Sequence, residues 1–163
     1  MSRKRVKVLA PLQSWDVYAE FLVNKSREAR LRDDIDTLTG LKFKHEWQFD
    51  PSTLATEDYT TIVITDARQI IEWVNPGFKE MTGYAKNYAL GKHPRFLQGE
   101  ETSLSDKEEI KSTLATLKPV SKKLLNYRKD GTPYLCDIKI IPLFNTDEEV
   151  THFMALEKKA RVA

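Results

Sequence analysis

Apolar residues recur at two different periods along this chain, and the change between them divides it. From residue 11 to 47 the spacing is three and four. Leu12, Trp15, Tyr18 and Leu22, with Phe21 beside them, fall on one face of a helix that Pro11 or Ser14 starts. A second helical piece is predicted from about Asp33 to Trp47, with Ile35, Leu38, Leu41 and Phe43 as apolar contacts and Gly40 as its weak point. Asp50-Pro51-Ser52-Thr53 reads as a turn or linker. From about Thr60 the pattern becomes β-rich. Thr61 to Thr65 and Ile70 to Val74 predict two strands around a hairpin turn at Asp66-Ala67-Arg68-Gln69. Short helices follow around Pro76 to Met81. Ser105-Asp106-Lys107-Glu108 has the capping-box pattern and opens a longer helix toward Leu117, stopped by Pro119. Three strands then fit 121–129, 133–144 and 149–157. Asp130-Gly131 turns the first pair, because glycine accepts positive φ there, and Asn145-Thr146-Asp147 turns the second. The class is α+β, with a helical extension over residues 1–55 and a domain over 56–160.

Composition narrows the picture. A chain of 163 residues suits one domain plus an extension and buries a real core. Lys and Arg number 26 against 24 Asp and Glu, a formal net charge of +2, too balanced to point to nucleic acid. Arg3-Lys4-Arg5-Val6-Lys7 is basic but has no continuing basic face or interleaved aromatics, so it reads as a solvated arm. The one cysteine, Cys136, forms no internal disulfide, which fits a reducing compartment. No apolar run approaches the roughly 20 residues that span a bilayer. The apolar stretch Val8 to Leu12 is too short for a signal peptide and is broken by Pro11. The expectation is a soluble, cytoplasmic protein with no membrane or nucleic-acid partner.

Catalytic signatures do not emerge. His45, His93 and His152 are widely spaced, without a metal-ligand pattern, and are expected to be structural or exposed. There is no Gly-x-Ser-x-Gly, phosphate loop or dinucleotide fingerprint. Asp106, Glu108 and Glu109 open a helix, where negative charge is favoured. No kinase, cyclase or helix-turn-helix segment is read, so signalling is expected to run through association.

Four runs carry a family resemblance. They are Asn75-Pro76-Gly77-Phe78 through Met81-Thr82-Gly83-Tyr84, Arg95-Phe96-Leu97-Gln98-Gly99, Asn126-Tyr127-Arg128-Lys129-Asp130-Gly131, and Thr151-His152-Phe153. In that order and spacing, over about residues 59 to 159, the chain resembles a light-oxygen-voltage (LOV) domain, the flavin-binding branch of the PAS sensor fold. The resemblance implies a five-stranded antiparallel sheet with short helices on one face. It also implies a flavin pocket, in which Arg95 matches the phosphate-binding arginine, Gln98 the glutamine near the ribityl chain, and Asn126 an asparagine at the pyrimidine edge. Four positions depart from the family pattern. Pro94 stands where the photoreactive cysteine belongs and His93 where an asparagine precedes it. Cys136 replaces the companion asparagine, and Glu157 the glutamine on the last strand.

Those departures weaken the flavin expectation. A carboxamide matches the alternating donors and acceptors of a flavin edge; a thiol is a weak donor, and an ionised Glu157 only accepts. Leaving two buried groups unpaired at about 1–3 kcal/mol each would weaken FMN by orders of magnitude. Pro94 also has no thiol to form an adduct, and it disfavours helical geometry at His93. Bland readings stand beside each site residue. Arg95 pairs with Glu100 or Glu101, and Gln98 and Asn126 satisfy backbone groups. Cys136 lies on an apolar strand face with Tyr134, Ile138 and Ile140, and Glu157 is solvated near a strand end. The leading expectation is a non-enzymatic sensory or interaction module, without a cysteinyl-flavin photocycle, that forms a homodimer and meets a signalling partner. The alternatives are a sensor of FMN or another small molecule without adduct chemistry, and a flavin-dependent redox protein.

Overall fold

The computed structural model describes residues 11–161; the basic arm at residues 3–7 and the side chain of Leu12 lie outside what it describes. The two predicted helical pieces are one helix, α1 (Pro11–His45). Gly40 does not interrupt it, because the glycine faces open space with nothing within 4 Å of where a Cβ would lie. Its cost of about 1 kcal/mol is offset by packing on the opposite side. Leu31, Asp34, Ile35, Leu38 and Leu41 form the inward stripe at helical spacing, with Leu38 fully buried. Phe43, expected to join that stripe, is 77% exposed, because it falls on the far side of the last turn. Trp47 lies beyond the helix. Glu46 takes a left-handed φ of 55°, and Trp47 bridges to Asn145.

The Asp50 turn is a short 3-10 helix (Pro51–Thr56), capped by the Asp50 carboxylate, which accepts from the Ser52 N–H. It drives Leu54 into the core. Strands β1 (Thr61–Asp66) and β2 (Ile71–Val74) follow as predicted. Asp66 Oδ1 accepts from the N–H groups of Arg68 and Ile70, fixing the turn between them. Next come α2 (Gly77–Thr82), α3 (Lys86–Ala89), a 3-10 turn (Pro94–Leu97) and α4 (Leu104–Ala115). The cap of α4 is Ser103 rather than Ser105. Its hydroxyl accepts from the Asp106 N–H at 3.2 Å, so the helix starts earlier than the capping-box pattern suggests. Strands β3 (Val120–Tyr127), β4 (Pro133–Phe144) and β5 (Val150–Lys159) complete the chain. Between β3 and β4, Gly131 has φ 85°, as the turn requires.

The five strands form one antiparallel sheet in the order β2-β1-β5-β4-β3. Its two faces are covered by different parts of the chain. Ile62, Ile64, Leu143, Met154 and Leu156 pack beneath α1, against Leu38, Trp47 and Leu54. Val63, Ile71 and Val74 face the other way, toward Phe78, Ala89 and Leu97 from the short helices. β1 is therefore buried on both sides, which is why it reads as a continuous apolar run rather than an alternating one. The N-terminal half of α1 leaves the sheet, and residues 15–30 are exposed throughout. No helix of the described residues is long and apolar enough to cross a membrane.

The two sides of α1 should respond differently to truncation. Leu38→Ala is expected to lose about 2–5 kcal/mol of unfolding free energy, the usual range for a fully buried leucine. Phe43→Ala is expected to stay within about 0.5 kcal/mol. Urea denaturation of both variants measures the difference.

Candidate functional site

The short-helix side of the sheet gathers a polar group inside an apolar wall. Tyr134, Cys136 and Ile138 alternate onto this face of β4 and pack with Met81 of α2. The register sets Asn126 opposite Tyr134, and Ile138 opposite Glu157. Glu157 also pairs with Thr61 on its other side. Its expected place near a solvated strand end is therefore wrong: β5 continues to Lys159, and Glu157 is only 4% exposed. The Cys136 thiol donates to Glu157 Oε2 at 3.7 Å. Two further polar atoms, Asn126 Oδ1 and the Tyr134 hydroxyl, are buried with no hydrogen-bond partner.

Burial dominates the electrostatics. It pushes the Glu157 carboxyl from its ordinary 4.5 up to about 7, and the Cys136 bond offsets only part of that. The Cys136 thiol is pushed far up by burial and then by the Glu157 charge beside it. Burial, followed by Glu157, raises Tyr134 as well. Both the burial and the neighbouring carboxyl favour the protonated thiol over the thiolate.

The second half of the predicted site lies on the 3-10 turn and the residue after it. Proline's restriction on its predecessor is visible at His93, which is extended, with φ −77° and ψ 138°. That geometry makes His93 the cap of the turn. Its Nδ1 accepts from the Arg95 N–H at 3.1 Å, and burial followed by the Arg95 charge lowers the imidazole's pKa. Pro94 then occupies the first position of the turn, where a missing N–H costs nothing. Leu97 anchors the turn in the core, while Phe96 meets the edges of Tyr84 and Tyr88. Arg95 is exposed and, among the described residues, forms no ion pair with Glu100 or Glu101. Gln98 is half-buried and closes the turn with its N–H on the Arg95 carbonyl. Beyond it, Gly99 lies under the Tyr127 ring, which leaves no room for a Cβ. Thr102 Oγ1 donates to the Leu125 carbonyl, strapping this loop to β3 beside Asn126.

Two polar groups escaped the sequence reading. Asp34 lies inside the α1 stripe, where the Tyr59 hydroxyl and Asn75 Nδ2 donate to its Oδ2 at 3.0 and 3.1 Å. Burial raises its pKa, against those two bonds. An acid at the fourth position of an apolar helical face was the available signal. A cleft of 640 Å³ opens beside it, between α1 and residues 54–60. Two of the histidines meet in space. His45 and His152, widely spaced in the sequence, stand with ring centroids 4.2 Å apart at the end of α1. Glu72 Oε2 lies 3.0 Å from His152 Nε2. Pairing β5 with β1 and folding α1 back created that cluster, and no local spacing encodes it.

The raised Glu157 pKa has a definite sign. A carboxyl that ionises at a higher pH in the fold than in the unfolded chain contributes stability below pH 4.5, and loses it as pH rises through about 7. The shift is worth about 3 kcal/mol. Denaturation from pH 5 to 8 should therefore show the native chain losing stability relative to Glu157→Gln by about that amount. Parallel pH profiles would contradict the buried acid.

Comparison with known proteins agrees with this architecture. The PAS domain profile matches residues 59–158. A nitrogen fixation regulatory protein of Klebsiella oxytoca is 34% identical over 111 residues, covering 68% of this chain and 22% of that protein. A blue-light photoreceptor of Listeria monocytogenes is 37% identical over 100 residues, covering 60% of this chain and 39% of its own length. The chain thus spans well under half of these relatives. Among solved structures, the light state of the Aureochrome1 LOV photoreceptor aligns with a TM-score of 0.62 at 28% identity, over 67% of this chain and 88% of that one. The LOV domain of the Erythrobacter litoralis EL346 blue-light activated histidine kinase aligns at 0.60 and 28%, over 65% and 100%. With a profile covering most of the chain and the same five-stranded fold, this chain belongs to the PAS domain family, and its structural neighbours are LOV domains.

Proposed function

We propose that this PAS domain is a non-enzymatic sensory and interaction module in signal transduction that runs no cysteinyl-flavin photocycle. In this reading residues 1–55 are a helical extension and residues 56–160 the sensory domain. The names of its relatives, a regulatory protein and blue-light photoreceptors, support a signalling role. The observation that carries the reading is the buried Cys136–Glu157 pair. The chain's one thiol is fully enclosed and bonded to a carboxyl, which argues against it as a substitute nucleophile. Pro94 offers no sulfur at the turn. The same pair satisfies itself, where a flavin edge would need a donor and an acceptor turned toward the ligand.

One observation favours a second reading, a small ligand held without adduct chemistry. Asn126 Oδ1 and the Tyr134 hydroxyl are buried without partners, and a bound molecule with a donor at that edge would satisfy the first of them. FMN is the candidate implied by the LOV neighbours, with Arg95 and Gln98 as further contacts. His93 is committed to its cap and contributes only to the turn.

Output is proposed to run through α1. Trp15, Tyr18, Phe21 and Leu22 are 47–69% exposed on its free half, and Val17 and Val23 lie beside them. A second copy of this helix is the simplest cover for a stripe of that length. Homodimerisation is therefore the proposed association, with a signalling protein meeting the same extension.

Three measurements test these readings. Mixed with FMN and illuminated, the protein should show no reversible bleaching to an adduct spectrum. Cys136→Asn with Glu157→Gln should tighten FMN binding at least about tenfold, from about 1.4 kcal/mol of recovered pairing, and adduct formation should require Pro94→Cys as well. Unchanged affinity in the double variant would refute the assignment of the weakened pocket to this pair. Sedimentation at tens of micromolar, roughly the range for a ~1–10 μM dimer, should give a dimer that Trp15→Ser with Leu22→Ser converts to monomer. A monomeric native chain would overturn the proposed association.

A further inference from the structure

We propose that His45, Glu72 and His152 form a binding site for one divalent transition-metal ion, zinc by preference, which clamps the end of α1 to the sheet. The three residues come from the last turn of α1, from β2 and from β5. A ligand-capable atom from each lies within 4.8 Å of the others. Tetrahedral ligands at about 2.0–2.1 Å from a zinc ion stand roughly 3.3 Å apart. His152 Nε2 and Glu72 Oε2, at 3.0 Å, are already near that separation. Turning the half-buried His45 ring closes the remainder.

The surroundings suit a metal-bound His152. With Nε2 on the ion, the ring proton moves to Nδ1. There it donates to Thr151 Oγ1, 2.9 Å away, and the Trp47 indole N–H, which also reaches Nδ1 at 3.3 Å in the metal-free structure, gives up that acceptor. That oxygen has a second lone pair for the Trp47 indole N–H, 3.1 Å from it. The tautomer and ring plane are thus fixed by an outer partner, the usual arrangement for a ligating imidazole. Trp47 also stacks on His45 at 5.1 Å, which keeps that ring beside His152; the turn toward the ion exchanges part of this stacking for a metal bond. The ion would sit at the negative end of the α1 dipole, with the Glu72 carboxylate supplying one full charge; the exposed Lys44 opposes it.

Donor chemistry selects the class of ion. Two imidazoles and one carboxylate suit zinc, cobalt, nickel and copper, whereas calcium and magnesium prefer oxygen ligands throughout. Three protein ligands leave one position for water. The clamp would join three segments that otherwise meet through side-chain packing and a few hydrogen bonds. It would fix the direction in which the free half of α1 leaves the domain.

Calorimetry of the tag-free, chelator-treated full chain with zinc chloride tests the site, with cobalt chloride as the spectroscopic probe. One equivalent should bind, and cobalt should give the intense visible bands of a tetrahedral complex. Glu72→Gln and His45→Ala should each weaken binding at least about tenfold (about 1.4 kcal/mol), and together abolish it. Zinc should raise the melting temperature of the native chain and leave the double variant unchanged. Both residues lie at the surface rim, so these variants fold without relying on the buried His152. No binding by the native chain, or the same affinity in the double variant, would overturn the proposal.

Discussion

The hydrogen-bonded carboxyl of Asp34 ties the two halves of this molecule together. A carboxyl buried beneath a helix costs several kcal/mol unless its oxygens are satisfied. Here Tyr59 and Asn75 both donate to it. Asn75 in turn accepts from the Ile62 N–H through its Oδ1, so the side chain that holds the helix also holds the start of β1. Docking α1, forming the Asn75-Pro76-Gly77 turn and aligning the first strand are therefore one event. Remove the carboxyl, and Asn75 Nδ2 keeps only the Thr60 carbonyl at 3.3 Å.

That arrangement leaves the opposite face to the short helices and gives the interior its character. The central strands must be apolar on both sides, yet Glu157 sits among them. It is tolerated because a thiol donates to it and because burial keeps much of it protonated near neutral pH. The cost appears next door, where Asn126 and Tyr134 retain unmet polar atoms. The interior thus combines one hydrogen-bonded pair with two unpartnered polar atoms inside an apolar wall.

Much of the fold was legible because it rests on period and turn chemistry. β1 and its hairpin, the Asp130-Gly131 turn and the alternation through Tyr134, Cys136 and Ile138 all follow from local rules. The continuity of α1 was not legible, since a glycine on the solvent side carries no sign that the far side is anchored by Leu38. Glu157 was misjudged for a related reason. Its burial depends on β1 and β4 flanking it, and strand length alone does not reveal which neighbours a residue acquires. His93 shows the reverse case, a substitution whose local consequence could be derived. An extended residue before proline, with an acceptor nitrogen in reach, becomes a cap. The meeting of His45 with His152 is purely a product of topology.

An unbroken α1 has a mechanical meaning. Helices resist bending, and the exposed segment beyond the Arg27–Asp58 and Arg30–Glu80 ion pairs, residues 15 to 26, spans about 18 Å at 1.5 Å per residue. Its inner half is seated on the sheet. A rotation of only ~5° at that seat would sweep the far tip by about 2 Å, from the same helical rise. Small rearrangements around the sheet are thereby magnified at a distance, as a pointer magnifies the movement of its pivot.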